Sequence, residues 1–360
     1  MGRVALLCAI LLAMPAMARP PDAQRALLSR GVNITGWFRY PTRRAPKPLE
    51  AWMADSAMAD LRQAGFTFVR LAIDPAVVDT AEMRDIAVSA VCRFQHQGLA
   101  VVVDAHPTSW KLEDPAAQAR LTEFWTVMAP ALRRCDPLSL FPEILNEPVF
   151  AGQSDAWAAL QAAILPVVRS ALPDSTIVVS GHDWGSIAGL SALTPVADAN
   201  VVYSVHFYEP AELTSLAAYR HDVDRPALAT LPFPVEDQDA CLRRADVAEG
   251  MDATAALMRC YCRFGWDARS IPRLVEHSAV WARAHDAVIV VGEFGASVQL
   301  NAPARLAWLR SARLAFEAAG FGWALWGYDD SMGFDVPRPP RNPMLDGNIL
   351  TALGLPVQSR

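Results

Sequence analysis

The stretch Ala287-Val288-Ile289-Val290-Val291-Gly292-Glu293-Phe294 sets five aliphatic residues in a row ahead of a glycine and an acid. Strict alternation would signal a strand with one face in water. An unbroken apolar run this short signals a strand covered on both faces, as in a parallel sheet layered with helices. Beyond a short polar loop, residues 302–319 carry the apolar spacing of an amphipathic helix, and Gly320 stands where a left-handed C-cap is wanted.

The same unit recurs along the chain. Strands are predicted at 32–35, 67–72, 100–104, 142–146, 176–180, 201–206, 287–292 and 322–326. Helical patterns fill 49–64, 81–97, 115–134, 154–171, 271–285 and 302–319, and Gly65 and Gly98 follow two of them as Gly320 follows the last. Strands alternating with helices imply a doubly wound sheet or a barrel. No glycine-rich phosphate loop follows the first strand, and polar residues recur at the strands' carboxyl ends, where barrel active sites are built. The expected fold is α/β, a (β/α)8 barrel.

The ends and the composition bound the rest. Arg3, the apolar run 4–14 and Ala16-Met17-Ala18 predict a signal peptide over 1–18, cleaved before Arg19. The run is too short to span a bilayer, which takes roughly 20 residues. Residues 19–360 then form one barrel domain, exported to the periplasm or beyond, with no stable membrane association. The formal charge of −6 becomes −7 when Arg3 leaves. An acidic chain without basic clusters excludes nucleic acid as a partner and suits a neutral one. Removing Cys8 leaves Cys92, Cys135, Cys241, Cys260 and Cys262. Cys92 and Cys135 occupy equivalent places on neighbouring helices and should be bridged. Residues 210–270, too long for an ordinary loop, read as a disulfide-stapled insertion over the active-site face. There Cys241 pairs with Cys260 or Cys262, and one thiol is left over. No appended module is visible, and a monomer is expected.

Chemistry gathers at the strand ends. Arg70 lies on the second strand, Asp104 and His106 close the third, and Asn146-Glu147-Pro148 closes the fourth. His182 and Trp184 follow the fifth, His206 and Tyr208 the sixth, Glu293 the seventh and Trp326 the eighth. Any one of these is ordinary; a lone glutamate is usually a solvated charge, and Trp is a common core residue. Together they ring one pore mouth. Glu147 and Glu293 face each other across it, as two carboxylates must to flank a glycosidic bond. Trp37 and Trp184 also follow strands and are candidate sugar-stacking residues.

This set resembles glycoside hydrolase family 5, the retaining barrel enzymes that include many cellulases and mannanases. The resemblance implies that Glu147, preceded by Asn146, is the acid/base, and that Glu293 in Gly292-Glu293-Phe294 is the nucleophile. Arg70, His106, His206, Tyr208 and Trp326 match the family's remaining signature, and Gly31-Val32-Asn33-Ile34-Thr35-Gly36-Trp37-Phe38 resembles its first strand. Pro107-Thr108 departs from it, since many cellulases have an Asn after this His. The implied roles follow from charge. Arg70 favours the ionised form of Glu293, Tyr208 holds that carboxylate's angle, and Asn146 binds the sugar 2-hydroxyl. His106 and His206 bind hydroxyls or orient the acid, and Trp326 forms a floor beneath the sugar.

The implied reaction is retaining, endo-acting hydrolysis of a β-1,4-glucan. A β-mannan or a β-1,3- or mixed-linkage glucan is the alternative substrate. Two other classes fit the residues less well. A metal hydrolase would need His106, His182 and His206 to converge, but the first strand carries Asn33 where metal-dependent amidohydrolases carry His-x-His, so no metal or cofactor is expected. A non-catalytic glycan-binding barrel would not need both glutamates.

Overall fold

The computed structural model describes residues 19–150, 153–246, 252–340 and 344–357. The expected signal peptide, 1–18, lies outside them. Eight parallel strands close into a barrel in sequence order. They are β1 (Arg30–Phe38), β2 (Phe68–Ile73), β3 (Ala100–Ala105), β4 (Leu140–Glu143), β5 (Ile177–Ser180), β6 (Val201–Phe207), β7 (Ile289–Phe294) and β8 (Gly322–Leu325). Helices pack around them, among them Ala81–His96, Pro115–Ala131, Ser154–Ala171, Ser270–His285 and Ala302–Ala318. The helix expected over 49–64 is two, Pro46–Glu50 and Asp55–Gln63. Gly65, Gly98 and Gly320 all take positive φ at helix ends.

The core has two parts. A large one lies between strands and helices, and a small one plugs the barrel with Leu28, Phe68, Ala100, Val102, Phe141, Val178, Val202, Val290 and Ala324. Side chains alternate faces along a strand, so the residue two places beyond a plug residue also points inward. Arg70 follows Phe68, Asp104 follows Val102, Glu143 follows Phe141, Ser204 and then His206 follow Val202, and Trp326 follows Ala324. An apolar plug is thus capped directly by a polar layer.

β7 breaks the alternation where it matters. Pairing runs Val205 with Val291 and then His206 with Glu293, so β7 holds one residue more than its neighbour. The same extra residue shows against β8. This bulge turns Glu293 into the barrel mouth, where strict alternation would have sent it outward. Gly292 is required there, since a Cβ would stand 2.4 Å from Ser204 Oγ.

The insertion after β6 is helical, chiefly Gln238–Asp246 and Asp252–Phe264. It is tied to the loops at the barrel mouth. Thr214 Oγ1 donates to the Tyr208 carbonyl, Ser297 N donates to the Thr214 carbonyl, and Asn301 Nδ2 reaches the carbonyls of Ala229 and Leu231. Two disulfides are formed, Cys92–Cys135 with Cα atoms 5.1 Å apart and Cys241–Cys262 at 5.5 Å. The choice of Cys262 follows from helix periodicity. Cys262 shares the buried face with Ala255 and Met258, at spacings of four and seven residues, while Cys260 points to solvent. Alkylation of residues 19–360, denatured and unreduced, should therefore label the Cys260 peptide alone, read by peptide mapping. Label on Cys241 or Cys262 would contradict the pairing.

Candidate active site

The polar layer is organised by Arg70. Its Nε and Nη2 make a forked contact with Glu143 at 2.6 and 3.0 Å, and Nη1 donates to Glu293 Oε1 at 2.7 Å and Asn33 Oδ1 at 3.1 Å. Nη2 also reaches Asn146 Oδ1 at 2.9 Å and Asp104 Oδ2 at 3.1 Å. All five N–H donors are engaged. Burial works against the charge, but Asp104, Glu143 and Glu293 outweigh it and hold the guanidinium pKa well above its ordinary value. Burial in turn raises Glu143 and lifts Asp104 to about 6, with Arg70 opposing both shifts.

A chain of hydrogen bonds fixes the His106 tautomer. Arg70 can only donate, so Asn146 turns Oδ1 toward it and offers Nδ2 to His106 Nε2 at 3.1 Å. Nε2 is then the acceptor, and Nδ1–H donates to Asp104 Oδ2 at 2.7 Å. Burial, reinforced by the charge of Arg39, holds the His106 pKa well below the usual value, so the ring is neutral.

Across the mouth, Tyr208 Oη donates to Glu293 Oε2 at 2.8 Å. Burial and then the charge of Glu293 push the phenol well up, so it stays a donor. His206 Nδ1 lies 2.9 Å from Glu147 Oε1 and 3.5 Å from Glu293 Oε2. Burial alone would lower its pKa, but Glu293 and then Glu147 outweigh burial and raise it. Glu147 is half-buried and takes φ 41°, a left-handed conformation uncommon for a residue with a side chain. One ligand atom from each of Glu147, His206 and Glu293 lies within 4.8 Å of the others. Among the described residues neither His106 nor His182 joins that group. The donor set does not suit a cation, because Arg70 already sits on one Glu293 oxygen and Tyr208 donates to the other.

The aromatics divide. Trp184 follows β5, is 59% exposed, and its backbone N–H donates to the Pro148 carbonyl beside Glu147. Trp326 is 7% exposed, with His106 stacked on it at 5.7 Å and the Arg39 guanidinium 5.1 Å from its ring centre. It offers a strip of ring rather than an open face. Trp37 is a correction. It is fully buried, stacks on Phe38 and Trp52, and donates to the Leu49 carbonyl. Four residues of β1 span two of β2 between Ile34 and Phe38, and that slip turns Trp37 out under helix Pro46–Glu50. No sugar can reach it.

Three site residues were not read from the sequence as such. Glu143 stands two residues beyond the plug residue Phe141 in a strand that begins at Leu140. Asn33 joins Arg70 to the Gly292 and Leu325 carbonyls. Arg39, just past β1, had no signal.

The Cellulase (glycosyl hydrolase family 5) model matches residues 28–331. The chain belongs to glycosyl hydrolase family 5. It is a glycosidase by that membership. Endoglucanase 3 of Fibrobacter succinogenes is 24% identical over 84% of this chain, which spans about half (49%) of that relative's length. Endoglucanase C of Acetivibrio thermocellus is 20% identical over 87% of this chain and 94% of its own. The crystal structure of Thermotoga maritima Cel5A in complex with mannotriose superposes with a TM-score of 0.70 at 20% identity, over 92% of this chain and 98% of that one. At that identity the likeness carries the fold alone.

Replacing Arg70 with Met should cost about 3–5 kcal/mol in urea unfolding, because it strands buried carboxylates. A loss under about 1 kcal/mol would contradict the hub. The raised Asp104 gives a pH signature. Between its ordinary 3.8 and about 6 the folded state keeps a proton that the unfolded chain has released. Its contribution is therefore present below that window and is lost as pH rises through it. Asp104→Asn should flatten that part of the stability profile, and an unchanged slope would count against the shift.

Proposed function

We propose that this family member is a retaining, endo-acting β-1,4-glucanase, with Glu293 as nucleophile and Glu147 as acid/base. The observation that carries the reading is the approach of the two carboxyls to within 4.8 Å, oxygen to oxygen, on either side of His206. That suits the retaining separation of about 5–5.5 Å between carboxyl groups, and leaves no room for the interposed water of an inverting enzyme. Arg70 and Tyr208 donate to the two oxygens of Glu293 and so fix the angle at which the carboxylate attacks. Glu147 protonates the leaving oxygen and later activates water. Asn146, tethered between Arg70 and His106, faces the sugar 2-hydroxyl, Trp326 supplies the floor, and Trp184 stacks a sugar of the leaving chain.

The relatives' names as endoglucanases favour glucan. A β-mannan is the second reading, favoured by the mannotriose complex of a structural neighbour, and a panel of defined oligosaccharides decides between them. No helix among the described residues is long and apolar enough to cross a membrane. The two disulfides support export to an oxidising compartment after cleavage of the leader. The working unit is a monomer acting on a neutral polysaccharide.

The roles are separable. Glu147→Ala should lose about 10²–10⁴-fold on the polysaccharide but form a glycosyl-enzyme from a dinitrophenyl β-cellobioside, whose leaving group needs no proton. That intermediate should accumulate, and azide should speed turnover and yield the β-glycosyl azide, the product of two inversions at one carbon. Glu293→Ala should lose activity on every substrate. Near-wild-type turnover by Glu293→Ala, or a β-azide from it alone, would overturn the assignment.

A further inference from the structure

Strand β6 outruns its neighbour. Pairing with β5 stops at Ser180 and Ser204, while β6 continues to Phe207. Along one edge of a strand the N–H groups recur at every second residue. On the β5 edge, those beyond Ser204 belong to His206 and Tyr208. The His206 N–H finds the Gly185 carbonyl at 2.9 Å. No strand is left to serve Tyr208. Its N–H donates instead to Glu209 Oε2 at 3.0 Å, as the next side chain folds back over the peptide. Thr214 Oγ1 then donates to the Tyr208 carbonyl, so the residue is held at both ends of its main chain.

The arm that reaches back has a fixed base. The Glu209 carbonyl accepts from Trp308 Nε1 at 3.0 Å, and Trp308 is fully buried on helix Ala302–Ala318. A carboxylate is an expensive cap here. Its partners are the N–H groups of Tyr208 and of Glu209 itself, no cation is among them, and burial raises its pKa above the ordinary value. Desolvating such a group is unfavourable with no counter-charge to offset it. What it provides is a charge-assisted hydrogen bond. The peptide that receives this bond carries the phenol that donates to Glu293 Oε2 at 2.8 Å. We infer that Glu209 is a positioning residue, which holds the Tyr208 peptide and through it sets the phenol against the nucleophile. This inference rests on the glycanase reading, with Glu293 as nucleophile. Glu209 acts through Tyr208 and needs no contact with the sugar.

A cycle of full-length variants separates this role from a merely structural one. The substrate is a dinitrophenyl β-cellobioside, or the mannobioside if the wild type prefers mannan. Its leaving group needs no proton, so kcat/KM reports attack by Glu293. Glu209→Ala should lose about 10- to 100-fold, the loss of one hydrogen bond to a charged group. Glu209→Gln keeps an acceptor at the same reach and should stay within about threefold of wild type. In a Tyr208→Phe background, which already lacks the phenol's donor, Glu209→Ala should cost less than about twofold more. Additive losses, no loss in Glu209→Ala, or a Gln variant as weak as the Ala one would overturn the role. A crystal structure of Glu209→Ala reads the geometry without activity. Tyr208 Oη should lie beyond hydrogen-bond reach of Glu293, and an unmoved contact would overturn the inference. If Glu209→Ala does not fold, Glu209→Asp, which keeps the charge but falls one methylene short, takes its place in every arm with the same outcomes. A wild type inactive on β-glucosides and β-mannosides alike overturns the glycanase reading, while the crystal structure still decides whether Glu209 holds Tyr208.

Discussion

The guanidinium of Arg70, buried against Asp104, Glu143 and Glu293, is the contact on which the site depends. Moving a charge out of water costs several kcal/mol per ion even after relaxation, and pairing recovers that cost only when every donor is used. Here every donor is. A hub of this kind adds little net stability. What it gives is geometry: Glu293, Asn146 and Asn33 take their orientations from one planar fork. Through Asn146 the constraint passes on to the His106 tautomer and ends at Asp104, whose Oδ1 has no partner.

The backbone makes the hub possible by putting an apolar plug under it. Phe68, Val102, Phe141, Val202, Val290 and Ala324 close the barrel to water from below. The next inward residue on most of those strands is polar, so the layer forms by the two-residue period of the strand alone. Glu293 is the exception, and it needs a bulge. The extra residue in β7 separates the layer's structural acids, which follow the period, from Glu293, which is rotated into the mouth between Arg70 and Tyr208.

That distinction explains how much was legible beforehand. Continuous apolar runs marked all eight strands within a few residues, and the polar residues at their ends marked Arg70, His106, Asn146, Glu147, His206, Tyr208, Glu293 and Trp326, which the fold does bring to one mouth. What failed was whatever depends on register. Trp37 looked like a strand-end aromatic, but the slip between β1 and β2 sends it into the core. Glu143 lies inside the strand expected over 142–146, and its inward face shows only when the strand begins at Leu140. In the insertion, the thiols at 260 and 262 could not be told apart until the segment was known to be a helix whose buried face holds Met258 and Cys262.

Arg39 and Arg70 show how the same side chain takes opposite places in one site. Both are cations at the barrel mouth. Arg70 has every donor matched by protein oxygen, so no substrate can compete for it, and its influence on chemistry passes through the groups it holds. Arg39 lies against the rings of Tyr40 and Trp326 and makes no hydrogen bond among the described residues. Aromatic rings stabilise a cation without using its directional N–H bonds, whereas carboxylates use them up. An arginine between rings therefore keeps its directional hydrogen-bonding capacity, whereas one between carboxylates has none left.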